Sequence, residues 1–172
     1  TSSKSLRAKA AIESEGYRLS QSDLIILDSL PERSNRCLLI YMRVNQFGGS
    51  VIGLHPQSDL SITIDGYLRL DQGEKTLQSI NALTQGIDHL IEIESDDLFT
   101  NLYLDGQLDN TIDNNLLDFP INPTNPLRIG KVPMSYGASD INIKDLIICE
   151  RSKMNYYHQL LIDKHNINME WS

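Results

Sequence analysis

The chain has 172 residues, 40% of them hydrophobic, and a formal net charge of −8. That length fits one domain burying roughly 70% of the surface its unfolded form exposes, and that apolar fraction excludes global disorder. Basic residues are scattered, with only Lys4, Arg7 and Lys9 grouped, so a phosphate-binding surface and nucleic acid are excluded. No apolar run approaches the roughly 20 residues of a membrane span.

Residues 1–16 are polar and read as an N-terminal arm that docks on a neighbour; residues 17–172 read as the folded domain. Tyr17 to Leu19 and Asp23 to Leu27 are expected as short strands, and Pro31 to Arg36 as a loop. From Cys37 to Val44 the alternation is clear. Leu38, Ile40, Met42 and Val44 form one wholly apolar face, while Cys37, Leu39, Tyr41 and Arg43 form a mixed one. A strand between a core and a partly covered surface has this pattern. Gly48-Gly49 ends it, and Ser50 to Leu54 resumes.

Two hairpins follow, each turning at Asp-Gly. At Asp65-Gly66 a two-residue loop would put Leu68 and Leu70 on the wrong face. A three-residue loop, Ile64-Asp65-Gly66, pairs Ile62 with Leu68 and Leu60 with Leu70. Residues 71–86 read as a loop with one short strand at Thr76 to Ile80. In His89 to Ser95, Ile91 and Ile93 alternate with Glu92 and Glu94, which predicts a strand with a wet face. Asp96-Asp97 turns into Phe99 to Leu104. At Asp105-Gly106 the three-residue arithmetic repeats, pairing Leu102 with Leu108 and Tyr103 with Gln107.

Asp109 to Pro126 is a long loop, since Pro120, Pro123 and Pro126 forbid a central strand. Leu127 to Ile129 is a short strand, Gly130 to Ser139 a loop, and Ile141 to Cys149 the last strand. Ser152 is the expected N-cap of a helix over Lys153 to His165. Its stripe of Met154, Tyr157, Leu161 and Lys164, flanked by Leu160, would cap the sandwich or serve as an assembly contact. Ten to twelve short strands and one late helix imply an all-β, antiparallel two-sheet β-sandwich, not βαβ units.

Four pieces, in this order and spacing, resemble the laminin G-like, concanavalin A-like jelly-roll superfamily. They are Tyr103-Leu104-Asp105-Gly106, Pro126-Leu127-Arg128-Ile129-Gly130, Ile143-Lys144-Asp145-Leu146-Ile147-Ile148 and the Glu150-Arg151 corner. Cys37 to Arg43 resembles the superfamily's first long core strand. The match covers roughly residues 37–165. It lacks the tryptophan of the superfamily's Trp-His-His-like step, with only His89 near that position. The resemblance implies a jelly roll; members serve as glycan-binding modules, adhesion domains, enzyme-appended modules and virion parts.

Catalytic signatures are sparse. Glycoside-hydrolase relatives use a Glu-x-Asp-x-x-Glu string, which is absent here, and Glu92 and Glu94 read instead as a solvated strand face. The four histidines are dispersed, with no His-x-x-x-His or Cys-x-x-Cys. Cys37 and Cys149 either sit as buried small hydrophobes or pair across the sandwich. No Asn-x-Ser/Thr sequon occurs. Some relatives bind calcium at the sandwich rim, and Asp96, Asp97 and Asp113 are the loop carboxylates available for it. A glycan site wants an exposed aromatic beside amide and carboxylate groups, which Tyr136 with Asn125 and Asp140 would supply.

These readings converge on a non-catalytic binding or adhesion module that recognises a glycan or a protein surface through its loops. The alternative is a structural component of a larger assembly, such as a virion decoration, fibre or tail domain. It would contact other subunits through residues 1–16 or the C-terminal helix. A glycoside hydrolase comes third. The expected location is extracellular, on a cell surface or in a virion.

Overall fold

The computed structural model describes residues 3–6, 25–28, 31–120, 128–129 and 140–168. Among them run β1 (Ser3–Leu6), β2 (Ile25–Asp28), β3 (Arg36–Gln46), β4 (Gly49–His55), β5 (Ser58–Ile62) and β6 (Leu68–Gln72). They continue with β7 (Lys75–Gln78), β8 (Asp88–Ser95), β9 (Thr100–Leu104), β10 (Gln107–Ile112), β11 (Arg128–Ile129) and β12 (Asp140–Glu150). A 3-10 turn (Arg151–Lys153) then leads into the helix α1 (Met154–His165). A seven-stranded sheet has the order β1-β2-β12-β3-β8-β9-β10, and a five-stranded sheet the order β11-β4-β5-β6-β7. Pairing is antiparallel except between β2 and β12. The segment expected as an arm contributes β1, an edge strand paired with β2. The strand expected at Tyr17 to Leu19 lies outside the described residues.

The core lies between the sheets. Leu38, Ile40, Met42 and Val44 of β3 meet Val51, Ile52 and Leu54 of β4, and the Leu60/Leu70 and Ile62/Leu68 pairs of the β5–β6 hairpin. That hairpin has the expected three-residue loop. Gly66 sits at φ +93 with the Phe47 ring against it, and a Cβ built there would lie 2.6 Å from Phe47 Cζ. Only glycine satisfies both demands.

The second hairpin departs from expectation. Gln107 pairs with Leu104 and Leu108 with Tyr103, so the loop is two residues, and a bulge at Asp109 leaves Leu102 opposite Asn110. Asp105 (φ +51) and Gly106 (φ +85) both adopt left-handed conformations, as a tight hairpin turn requires. Two tertiary contacts explain the choice. Asp105 is tied to β8: its N–H donates to Leu90 O at 2.8 Å, and its Oδ1 accepts from Leu90 N at 2.9 Å. Asp109 accepts from Ile80 N at 2.6 Å and from Asn81 Nδ2 at 2.7 Å, so the extra residue pins the loop after β7. Leu108 consequently points to solvent, at 57% exposure. The strand also runs to Ile112, four residues into the expected loop.

The outer face of β8 is not wet. Helix α1 lies over β3, β8 and β12, burying Tyr157 and Leu161 against Cys37, Leu39, Tyr41, Leu90, Ile147 and Cys149. Beneath it Glu92 is only 1% exposed, and His158 Nδ1 donates to its Oε2 at 2.6 Å. Asp145, also buried, accepts from Lys164 Nζ at 2.9 Å and from His165 Nε2. Buried carboxylates are tolerated here because each has a cationic or N–H partner on the helix. Ser152 is not the N-cap: the 3-10 turn intervenes, and Lys153 holds the N-cap position with no side-chain capping hydrogen bond to the helix. Asn166, left-handed at φ 52, closes the helix, its N–H bonding Ile162 O.

Candidate functional site

At the Arg36 end of β3 the chain builds a pocket from segments far apart in sequence. Arg36 is the organiser. Its guanidinium is buried, its Nε donating to Pro31 O at 3.2 Å and its Nη1 to Leu117 O at 3.0 Å and to Phe119 O. It also lies 4.9 Å from the Phe119 ring centroid. Burial, then repulsion from Arg33, lowers its pKa to about 10, partly opposed by Asp118, so it stays charged at neutral pH. One side chain therefore fixes the 31–35 and 113–120 loops against each other. Thr100 adds to this, donating from Oγ1 to Asn114 O at 2.7 Å and accepting from Leu116 N at 2.8 Å.

The pocket between these loops and the ends of β4, β5 and β6 has a volume of about 330 Å³. That is near the lower bound for ligand pockets. Its wall includes His55, Gln57, Ser58, Gln72, Arg33 and Phe119. The His55 and Phe119 rings stack with centroids 6.5 Å apart. Gln57 N donates to His55 Nδ1 at 3.3 Å, which places the proton of the neutral ring on Nε2. Gln72 Nε2 donates to Asp118 O at 2.7 Å, leaving its carbonyl oxygen as an acceptor. Arg33 Nε pairs with Asp118 Oδ1 at 2.8 Å, so the charges at the mouth cancel. Ser58 is 2% exposed, and its hydroxyl has no hydrogen-bond partner among the described residues.

A second cleft, of about 540 Å³, lies at the start of α1 and is lined by Glu32, Asn35, Glu94, Glu150, Arg151 and Met154 among others. Its acid on β8 is already engaged. Glu94 Oε1 accepts from Tyr103 Oη at 2.9 Å and from Asn101 Nδ2 at 3.1 Å, and its Oε2 lies 3.4 Å from Arg151 Nε. Burial, then the bond to Glu94, pushes the Tyr103 phenol up to about 12. Three carboxylates against one guanidinium make this cleft acidic, and its polar contacts are those of a structural corner.

Of the residues expected to bind ligand, Tyr136 and Asn125 lie outside the described residues. Asp140 is exposed, accepts from Asn45 Nδ2 at 3.2 Å and pairs with Gln46, about 33 Å along β3 from Arg36. The expected calcium ligands do share one end of the sheet, because Thr100 pairs with both Ser95 and Ile112. There Asp96 Oδ1 caps its own turn, accepting from Leu98 N at 2.7 Å and Phe99 N at 3.1 Å, while Asp97 and Asp113 are exposed. Among the described residues no group of three or more His, Cys, Asp or Glu side chains could hold a metal ion. The pocket residues escaped the sequence reading because each resembles ordinary turn chemistry. Arg36 was the available signal: a charged side chain abutting a strand with a wholly apolar face.

Neither a protein-family model nor a curated protein sequence matches the chain. Solved structures do. A candidate carbohydrate-binding protein from Bacteroides ovatus matches with a TM-score of 0.56 at 14% identity, over 67% of this chain and 37% of that one. Domains LG4-5 of the mouse laminin alpha1 chain give 0.53 at 13% identity, over 67% and 35%. Botulinum neurotoxin type C, whose cell entry depends on interaction with two ganglioside molecules, gives 0.52 at 18% identity, over 76% and 37%. The chain thus spans little more than a third of each. At these identities the likeness is one of fold: the chain has the laminin G-like, concanavalin A-like jelly roll.

Proposed function

We propose that this laminin G-like sandwich is a non-catalytic, extracellular binding module that holds a neutral glycan in the pocket between its 31–35 and 113–120 loops. The observation that carries the reading is the buried Ser58 hydroxyl, which lines the pocket with no partner among the described residues. Buried polar groups in folded proteins are almost always paired, and an exception calls for a partner. A sugar hydroxyl can both donate to and accept from it.

The rest of the wall suits the same ligand class. His55 Nε2 is a donor, Gln57 and Gln72 offer amide groups, and the His55 ring gives an apolar face for the C–H side of a pyranose. The Arg33–Asp118 pair removes net charge from the mouth, which favours a neutral ligand over a phosphate or carboxylate. A disaccharide of about 23 heavy atoms, at about −0.3 kcal/mol per atom, would bind with a Kd on the order of 10 µM. That the same fold carries a candidate carbohydrate binder and a ganglioside-dependent toxin supports the reading. No helix among the described residues is long and apolar enough to cross a membrane.

A glycan array probed with the full chain tests this. Hits are expected among neutral oligosaccharides, weakened about tenfold by Ser58→Ala, one hydrogen bond's worth, and retained by Glu94→Gln. A blank array, or hits indifferent to Ser58 and Gln72, would contradict it.

A further inference from the structure

Cys37 in β3 and Cys149 in β12 are direct partners in register, with regular pairs Leu38/Ile148 and Arg36/Glu150 on either side. Opposed residues of an antiparallel ladder have Cα atoms about 4.5–5.5 Å apart. That lies within the roughly 4.4–6.8 Å a disulfide spans. Both side chains leave the sheet on the face beneath α1, and both are buried free thiols. They are the chain's only cysteines, so neither has a competing partner within it.

We propose that Cys37 and Cys149 form an oxidation site: a cross-strand disulfide, made as the chain folds in an oxidising compartment, that stitches the first long strand of the sheet to the last. The timing follows from the cover. Once α1 has docked, Tyr157, Leu161, Met154 and Ile167 close over the pair. The neighbouring Cys149 thiol, then burial, pushes the Cys37 thiol well above its ordinary range, so attacking thiolate is scarce in the folded, reduced protein.

Oxidation therefore belongs to the stage before α1 docks, with a small disulfide such as oxidised glutathione as oxidant. One cysteine thiolate attacks the oxidant and releases the first glutathione thiol, leaving a mixed disulfide. The second cysteine then attacks its partner's sulfur and releases the second thiol. Two S–H bonds are lost, one S–S bond forms, and the two electrons and two protons leave on the two glutathione thiols. Strands β4 to β11 all lie in the loop so closed, and long loops are where a cross-link restricts the unfolded chain most.

The test is to refold the full, reduced chain in glutathione buffers of graded composition, quench in denaturant with excess iodoacetamide, and weigh the intact protein. In oxidising buffer the monomer should be lighter by two hydrogens and carry no alkyl group. Its denaturant midpoint should exceed that of the reduced form, while Cys37→Ala/Cys149→Ala responds to neither buffer. Chain refolded reduced and then moved to the same buffer should oxidise at least tenfold more slowly. Two alkylated cysteines after oxidative refolding, stable mixed disulfides, intermolecular dimers, or a lowered midpoint on oxidation would each overturn the proposal.

Discussion

A buried hydroxyl without a partner costs about 1–3 kcal/mol. Ser58→Ala should therefore leave the unliganded protein as stable as wild type or more so, while weakening the saccharide; thermal melts with and without ligand read both effects. His89 offers a test of different kind. Its Nδ1 meets Asp105 Oδ2 at 2.7 Å, and its Nε2 lies 3.3 Å from Thr84 O, so the protonated ring donates from both nitrogens. Burial alone would lower its pKa, but the hydrogen bond and charge of Asp105 outweigh burial, and the pKa is raised. Protonated His89 is thus favoured by folding. Its contribution is fully present below the unfolded value of about 6.5 and is lost as pH rises through the folded pKa. Asp105→Asn keeps an acceptor for Leu90 N and removes the charge. The gap in urea midpoint between it and wild type should be widest at about pH 6 and narrow on the alkaline side; a gap that widened with pH would refute the assignment.

The two Asp-Gly hairpins show what alternation can and cannot specify. At Asp65-Gly66 the burial of Leu60, Ile62, Leu68 and Leu70 on one face leaves a single consistent register, and the pairing follows it. At Asp105-Gly106 the same arithmetic fails, because the register is set by His89, Leu90 and Asn81, partners that lie outside the hairpin. The Asp-Gly turn and His89 are pieces of one contact, which gives that part of the family resemblance a physical basis. Burial of Glu92 was equally invisible, since alternation reports polarity and not whether a distant helix covers it. Gly66→Ala should cost roughly 1–3 kcal/mol through its left-handed backbone and the Phe47 contact, whereas Gly73→Ala, with open space around it, meets the backbone penalty alone. Equal denaturation midpoints for the two variants would argue against the Phe47 packing.

At the scale of the molecule, fold and site differ in how far the sequence reaches. Strand number, the late helix and the two-sheet architecture follow from local pattern, because each strand carries its own core face. The pocket does not, because Arg33 and Phe119 lie on distant loops that Arg36 draws together beside the paired His55, Ser58 and Gln72 of the smaller sheet. The same closure distinguishes this pocket from the acidic cleft beside α1, where Glu94 is spent on Tyr103, Asn101 and Arg151. The direct measurement is a titration of the ¹⁵N-labelled full chain with a panel of neutral oligosaccharides, followed by amide chemical shifts. Saturable shifts are predicted at His55, Gln57, Ser58, Gln72, Gly73 and Phe119. Shifts confined to Glu94, Arg151 and Asn155, or none that saturate with any member of the panel, would contradict the account.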